Sequence, residues 1–426
     1  KIDEYLENLP QPYVFAFSVL TSQANRAYEL AGMLKKKYPD CIIIMGNIHV
    51  TSMPLEALNN GADIVIRGEA ETSLKLVCEA IREEKDWTTT DGISYLNENG
   101  DLVNNKDAVL LKNLDEVPMF PHHLFKNHKY DRSFLTSARG CPYKCNYCSQ
   151  RLITGLTYRY HSNERIISEI DVLVNDYDCK NITFNDDNFS VNRRRVFELC
   201  DAIESQKYPQ DVSFTIQTRA DNFYPEIMPY LQKANFKGVG FGMETAVPRL
   251  VKVVNKEETV KTHTDAIKLC RKYGMDVTVF MIFGLPTETR EDRIASYRYI
   301  LDNKLRFTKF NNLIPYPGTK LYNDIKDTPQ ITIAKNWINF NSTLAGTTSL
   351  FNPMPLPYVP EGTTSWQLKK DCMRYNYSFY FRPKAIFDIL TGSGAGNYVV
   401  LPKGWYFKYR ELYEIIKLGL VISFNL

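Results

Sequence analysis

A chain of 426 residues with 44% apolar and 24% charged content has the composition of an ordinary globular protein and enough length for two or three packed units. Its net charge of +3 is spread along the sequence, and the longest basic runs, Lys35-Lys36-Lys37 and Arg193-Arg194-Arg195, read as solvated helix faces, so no nucleic-acid partner is expected. The most apolar stretch, Val277 to Leu285, is far short of the ~20 residues a membrane-spanning helix needs, and the first residues show no basic segment followed by an apolar one; the reading is a soluble, cytoplasmic protein.

In chain order, short apolar runs at 13–19, 41–45 and 63–66 read as strands. A helical pattern from Ala24 to Lys37 separates the first two, and a second short helix is expected over Pro54 to Asn59. This is the βαβ grammar of a doubly wound, Rossmann-like sheet. Three parallel strands leave one flank of such a sheet uncovered, so the first domain, residues 1–88, reads as incomplete and lacking its first part. Residues 89–130 turn polar, with a hairpin signal at Asn97-Glu98-Asn99-Gly100 and prolines at 118 and 121, and read as a linker.

From 131 to 325 the strand-helix rhythm repeats. Strands are expected at 134–137, 181–185, 212–218, 238–243, 277–283 and 309–314, with helices near 164–177, 193–205, 225–234, 260–273 and 290–301. Six such units predict an α/β fold with a partial (β/α)6 TIM-type barrel, whose functional side chains gather at the carboxyl ends of the strands. Residues 326–426 read as a mainly helical carboxyl-terminal cap, with helices over 367–390 and 409–420.

Of nine cysteines, six (Cys41, Cys78, Cys179, Cys200, Cys270 and Cys372) stand alone in apolar or helical contexts and read as inert thiols. Cys141, Cys145 and Cys148 crowd into one loop directly after the first barrel strand, which in a reducing compartment points to metal rather than to disulfides. Three thiolates can each hold one iron of a 4Fe-4S cubane and leave the fourth iron open to another ligand. A structural zinc site wants four closed ligands, and the nearest fourth candidate, His161, lies thirteen residues beyond Cys148.

The CxxxCxxC spacing, with Tyr147 before the last cysteine, resembles the signature of the radical S-adenosylmethionine (SAM) superfamily, and the later motifs resemble its cobalamin-associated branch. The resemblance implies that SAM chelates the open iron and that one electron from the cluster cleaves it to a 5′-deoxyadenosyl radical. Carried over residue by residue, it implies SAM contacts from Tyr147, from Asp187 in the run Phe184 to Phe189, and from Gln217 and Arg219 in Gln217 to Asp221. It implies further contacts from Gly242 and Glu244 in Gly240 to Thr245, and from Pro286 and Pro315 at the fifth and sixth strand ends. On the residues alone, Asp186 and Asp187 equally suit a turn cap, Arg219 suits a pair with Asp221, and Gly284-Leu285-Pro286 suits a plain strand terminator.

The amino-terminal residues Ser18, Thr21 and Gln23, then Gly46, His49 and Thr51, then Gly68 and Glu69, resemble the second half of that branch's cobalamin-binding domain, which implies contacts with a corrin. The family's usual Gly-Gly pair is here Gly46-Asn47, a departure that crowds a close backbone approach. No Asp-x-His-x-x-Gly motif occurs, and His49 sits where the family does not place a lower axial histidine, so it reads as packing at the cofactor edge. His122, His123 and His128 read as surface residues, and His263 shows no partner.

Three functions follow as expectations. The first is a cobalamin-dependent radical SAM enzyme of anaerobic metabolism that methylates an unactivated carbon or phosphorus of a small-molecule or lipid-like substrate, fed by an external electron donor such as flavodoxin or ferredoxin. The second is a cyclase or C–C bond-forming enzyme without methyl transfer. The third is a non-catalytic iron-sulfur protein, for which an open iron has no use. Tyr375 to Pro383 reads as a helix packed on the barrel, and the apolar end, Ile415 to Leu426, as a membrane contact, a substrate cover or a buried helix.

Overall fold

The computed structural model describes residues 6, 9, 11–125, 131–342 and 354–383. It divides into two compact units: Lys1–Lys112 with Asn146–Leu156 and Ile314–Asn341, and Asn113–Cys145 with Thr157–Leu313 and Ser342–Leu426.

In the first unit, β1 (Val14–Ser18), β2 (Ile42–Gly46) and β3 (Ile64–Ile66) are parallel neighbours, with Val14 opposite Ile42 and Ser18 opposite Gly46. β2 is apolar almost throughout because it is central and covered on both faces. Ile43 and Met45 pack against Ala27, Ala31 and Leu34 of the helix Ala24–Lys37, whereas Ile44 packs with Ile64, Ile66 and Val77. Val77 belongs to a helix, Glu71–Arg82, that the sequence analysis did not name; Leu74, Val77, Cys78 and Ile81 are its apolar stripe. The stretch expected to be a linker adds β4 (Ile93–Leu96) and β5 (Leu102–Asn104), which pair antiparallel in the order β3-β4-β5 and cover the flank of β3.

Two later segments are built into this unit. Ile314, Trp337 and Phe340 join its core, and the indole Nε1 of Trp337 donates to both carboxylate oxygens of Glu56, at 2.9 and 3.1 Å. Gly318, at φ +81°, sits where a Cβ would come within 2.4 Å of Ser52 Oγ and 2.9 Å of Leu152 Cδ1, so only glycine lets these three stretches of chain meet.

In the second unit six parallel strands run in the order β6-β9-β10-β11-β12-β13: Phe134–Leu135, Asn181–Phe184, Ser213–Thr218, Phe236–Glu244, Asp276–Phe283 and Phe307–Asn312. β6 and β13 are the two outer strands, so the barrel is open, as the partial (β/α)6 reading expects. The intervening helices Asn163–Asp171, Arg193–Ser205, Val260–Lys272 and Arg290–Asp302 start on side-chain caps from Ser162, Asn192, Thr259 and Thr289, the last a full capping box with Asp292. Phe184, Phe214, Phe241, Phe283 and Phe310 fill the core. A short antiparallel ribbon, β7 (Ala138–Arg139) with β8 (Arg159–Tyr160), brackets the cysteine loop.

An outer strand exposes unpaired backbone groups. On β13 they are met by the helix Ser365–Tyr380: the Asn376 amide accepts from Phe310 N at 3.3 Å and donates to Phe310 O at 3.0 Å, standing in for a neighbouring strand. The helix expected at 409–420 and the apolar chain end lie outside the described residues. Among the described residues no helix is long and apolar enough to cross a membrane.

Candidate active site

Polar residues past the carboxyl ends of β9 and β10 support the cysteine loop. Asp186, fully buried, accepts from the N–H groups of Ser137 and Ala138 at 2.6 and 2.9 Å and from the Ser137 hydroxyl at 2.6 Å. Burial pushes its carboxyl above the usual range, while Arg195, 3.9 Å away, and these donors pull it down. Asp187 accepts from Gly140 N at 2.9 Å, just before Cys141. The pair expected either to cap a turn or to touch SAM thus fixes the entry of the loop.

The loop's interior is held by the next strand ends. Asn222 donates to the Tyr143 hydroxyl at 2.8 Å, and Asn255, after β11, donates to Lys144 O at 3.0 Å. Arg219 lies 3.6 Å over the Tyr143 ring. Its Nε and Nη2 donate to the two Asp221 oxygens at 2.9 and 2.7 Å, and its Nη1 stands 3.6 Å from Cys145 Sγ. Asn188 is 3.9 Å from Cys141 Sγ. Burial pushes the Cys141 thiol up, against which Tyr143 N–H, Asn188 and Arg219 favour the thiolate.

Behind Arg219 lies a buried charge cluster. Lys256 sits 3.4 Å from Glu244 Oε1 and 3.2 Å from Glu258 Oε2, and Glu258 Oε1 accepts from Ala220 N at 2.8 Å. Burial opposes ionisation of Glu258, yet His263, Lys256 and Arg219 outweigh it and hold its carboxyl well below the usual range. Glu244 ends β11 at φ +64°, beside a register shift, and its carboxylate lies over Gly242, where a Cβ would come within 2.5 Å of it. That close approach is what the glycine permits.

None of the three loop cysteines is in a disulfide. Among the described residues no three His, Cys, Asp or Glu side chains are set to hold a single ion; a cubane takes each thiolate on a different iron and asks for a wider set. Soft thiolates with amide and guanidinium donors beside two of them fit such a cluster. Cys141 and Cys145 belong to the barrel unit, while Tyr147 and Cys148 follow in the stretch described with the first unit. Of the residues expected at SAM, Asp187, Gln217, Arg219, Gly242, Glu244 and Pro286 lie at strand ends of the barrel unit, and Pro315 lies in the first unit.

The residues expected at cobalamin follow the parallel strand ends of the first unit. Ser18 ends β1 and accepts from the Asn47 amide at 2.8 Å; Gly68, after β3, donates its N–H to Thr51 Oγ1 at 3.1 Å, with Glu69 next to it. A Cβ on Gly46 would meet only Ile66 O, at 3.8 Å, and the buried Thr21 hydroxyl, in the turn Thr21–Gln23, finds no partner among the described residues. An open glycine at the end of β2 and a buried, unused hydroxyl in the turn after β1 fit a polar-edged ligand. His49 instead turns inward: its Nε2 is 3.2 Å from Tyr28 OH and 3.3 Å from Glu56 Oε1, and its ring packs edge-on to Trp337.

Sequence reasoning did not single out Asn188, Asn222, Asn255, Lys256 or Glu258 as site residues. The first two carry a readable signal, being polar residues just past strand ends; the other three lie in the β11–β12 connection, where nothing in the pattern marks them. His161 hydrogen-bonds Asp115 at 3.0 Å and His263 lies 3.6 Å from Glu258, so each has a partner in the fold. Cys41, Cys179, Cys200, Cys270 and Cys372 are buried, and Cys78 is partly so.

Residues 135–300 match the radical SAM superfamily and residues 1–77 match the B12 binding domain. The chain belongs to the radical SAM superfamily. Within it, the chain falls in the branch that carries a B12-binding domain, and it is an enzyme whose domains call for a 4Fe-4S cluster, SAM and cobalamin. An uncharacterized methyltransferase of Pyrococcus horikoshii is 29% identical over 391 residues, covering 90% of this chain and 82% of the relative. The anaerobic magnesium-protoporphyrin IX monomethyl ester cyclase of Cereibacter sphaeroides is 26% identical over 344 residues, 78% of this chain, and the chain spans only 56% of that enzyme. Among solved structures, the methyltransferase TsrM of Kitasatospora setae superposes with a TM-score of 0.65 at 18% identity, covering 87% of this chain and 72% of TsrM. The cobalamin-dependent enzyme OxsB superposes with a TM-score of 0.72 at 15% identity, covering 98% of this chain and 64% of OxsB, and both share the fold.

Proposed function

We propose that this enzyme cleaves SAM reductively at a cluster held by Cys141, Cys145 and Cys148 and methylates an unactivated carbon or phosphorus atom with cobalamin as methyl carrier. The observation that carries the reading is the investment in one loop: Asp186, Asp187, Asn222 and Asn255 fix its backbone and Tyr143, and Arg219 and Asn188 face its thiols. When bound, the cluster supplies one electron and an open iron for the amino acid end of SAM. The chain's part is to present three thiolates to the cluster and to place Glu244 where it can accept from an amino or ribose group. The methyltransferase relative supports methyl transfer; the cyclase relative supports cyclisation by the same radical. A small or lipid-like substrate and an external flavodoxin- or ferredoxin-type donor belong to the same proposal.

The test uses protein reconstituted anaerobically with iron, sulfide and cobalamin, given SAM and a strong reductant. It should release 5′-deoxyadenosine, and Cys145→Ala should lower that release at least a hundredfold. With methyl-labelled SAM, label should appear on cobalamin; a corrin that stays unlabelled while 5′-deoxyadenosine accumulates would instead establish the cyclase reading.

A further inference from the structure

Two of the three cluster cysteines face buried N–H donors that the surrounding fold holds rigidly. Arg219, 6% exposed, has Nε and Nη2 committed to Asp221, Nη2 also donating to Lys256 O at 2.8 Å, and its plane stacked on Tyr143. The remaining nitrogen, Nη1, stands 3.6 Å from Cys145 Sγ and 3.9 Å from Glu258 Oε2. Asn188, wholly buried, is fixed by Thr218, which donates to its Oδ1 at 2.7 Å, and by Asn222, whose Oδ1 accepts from its Nδ2 at 2.8 Å. The same Nδ2 stands 3.9 Å from Cys141 Sγ. These contacts give Arg219 a task other than the SAM contact the family resemblance implies.

We propose that Arg219 and Asn188 are tuning residues that donate hydrogen bonds to the ligand sulfurs of Cys145 and Cys141 and so raise the reduction potential of the cluster, an inference that rests on the cluster reading above. An electron added to a cluster increases the negative charge on its sulfurs, and a donor already aimed at a sulfur stabilises that form more than the oxidised one. Because both donors are locked by other partners, no reorganisation accompanies the change, and because both are buried the interaction is weakly screened. Asp221 and Glu258, the latter 3.9 Å from Nη1, offset the Arg219 charge at long range, so the effect is carried by the short-range contact of Nη1 with the sulfur.

The experiment is a dithionite titration of the reconstituted protein without SAM, followed by the electron paramagnetic resonance signal of the reduced cluster, with iron and sulfide measured on each sample. Arg219→Gln should lower the one-electron reduction equilibrium constant at least tenfold, a fall of about 59 mV in midpoint. Arg219→Lys should recover part of that fall, and Asn188→Ala should lower the midpoint independently. Wild-type protein that takes up no iron would overturn the cluster reading itself. Variants that keep full iron and an unchanged midpoint, or whose only change is loss of iron, would overturn the tuning role and leave both residues as scaffold.

Discussion

At Asn47 the backbone adopts φ +81° and ψ −176°, a region that residues with a side chain avoid and that glycine enters freely. The family resemblance implies a glycine at this turn, and a backbone in this region suits one. Here the strain is retained and the amide is put to use: Asn47 Oδ1 accepts from Ile48 N at 2.6 Å, capping the helix Ile48–Ser52, and its Nδ2 donates to Ser18. The two contributions separate by substitution. Asn47→Gly loses the hydrogen bonds and the strain together, whereas Asn47→Ala loses the bonds and keeps the strain. Asn47→Ala should therefore be the less stable of the two, by roughly 1–3 kcal/mol, and thermal unfolding of both proteins would show it; an alanine variant as stable as the glycine variant would mean the turn relaxes.

A chain of buried polar contacts joins the helix Ser365–Tyr380 to the end of β12. Gly284 N donates to Glu288 Oε2, Arg293 Nη1 lies 3.3 Å from the same oxygen, and Arg293 Nε donates to Asp371 at 2.9 Å. Leu368 of that helix fills the space beside Gly284, where a Cβ would come within 2.8 Å of it. Burial outweighs the Gly284 N–H and the Arg293 guanidinium, which Glu288 shares with Asp371, and pushes the Glu288 carboxyl up to about 8. A carboxyl raised in the folded state from its ordinary 4.5 stabilises most below that value and loses its contribution as pH rises through about 8. The wild-type thermal midpoint should thus fall between about pH 5 and about pH 8 more steeply than that of Glu288→Gln, which is neutral throughout; parallel curves for the two proteins would mean Glu288 is ionised in the fold.

At this scale the sequence was most readable where one element decides its own form. The strands from β9 to β13 and their helices fall within a few residues of expectation, because a short apolar run between helical stretches has one way to be buried in a parallel sheet. Elements whose form depends on a distant partner were not readable. Ile93–Leu96 and Leu102–Asn104 carry a hairpin turn, but nothing local says that they extend the sheet at β3. The same holds at the site: the cysteine spacing announced the ligands, while the loop's supports, from Asp186 to Asn255, come from strand ends that only the folded barrel collects.

Over the whole molecule, the largest difference from the sequence reading is that Ile314–Asn341, expected to end the barrel and begin a cap, is part of the amino-terminal unit. Its Trp337 reaches back to Glu56 and joins the network that holds His49. His49 is the only histidine in the Lys1–Lys112 part of that unit. It is 1% exposed, with Nε2 shared between Tyr28 and Glu56 and its ring against Trp337. Ligating a metal through Nε2 would break these contacts and leave the partly buried Glu56 with one partner fewer, and Nδ1, which has no hydrogen-bond partner among the described residues, is itself buried away from any ligand at the surface. Cobalamin bound to this unit should therefore lack an axial histidine. Reduced to the cobalt(II) state, the wild-type complex and His49→Gln should give the same electron paramagnetic resonance spectrum without histidine nitrogen splitting, although the variant unfolds at a lower temperature. A nitrogen splitting present in the wild type and absent from the variant would show instead that His49 leaves Glu56 to bind the metal.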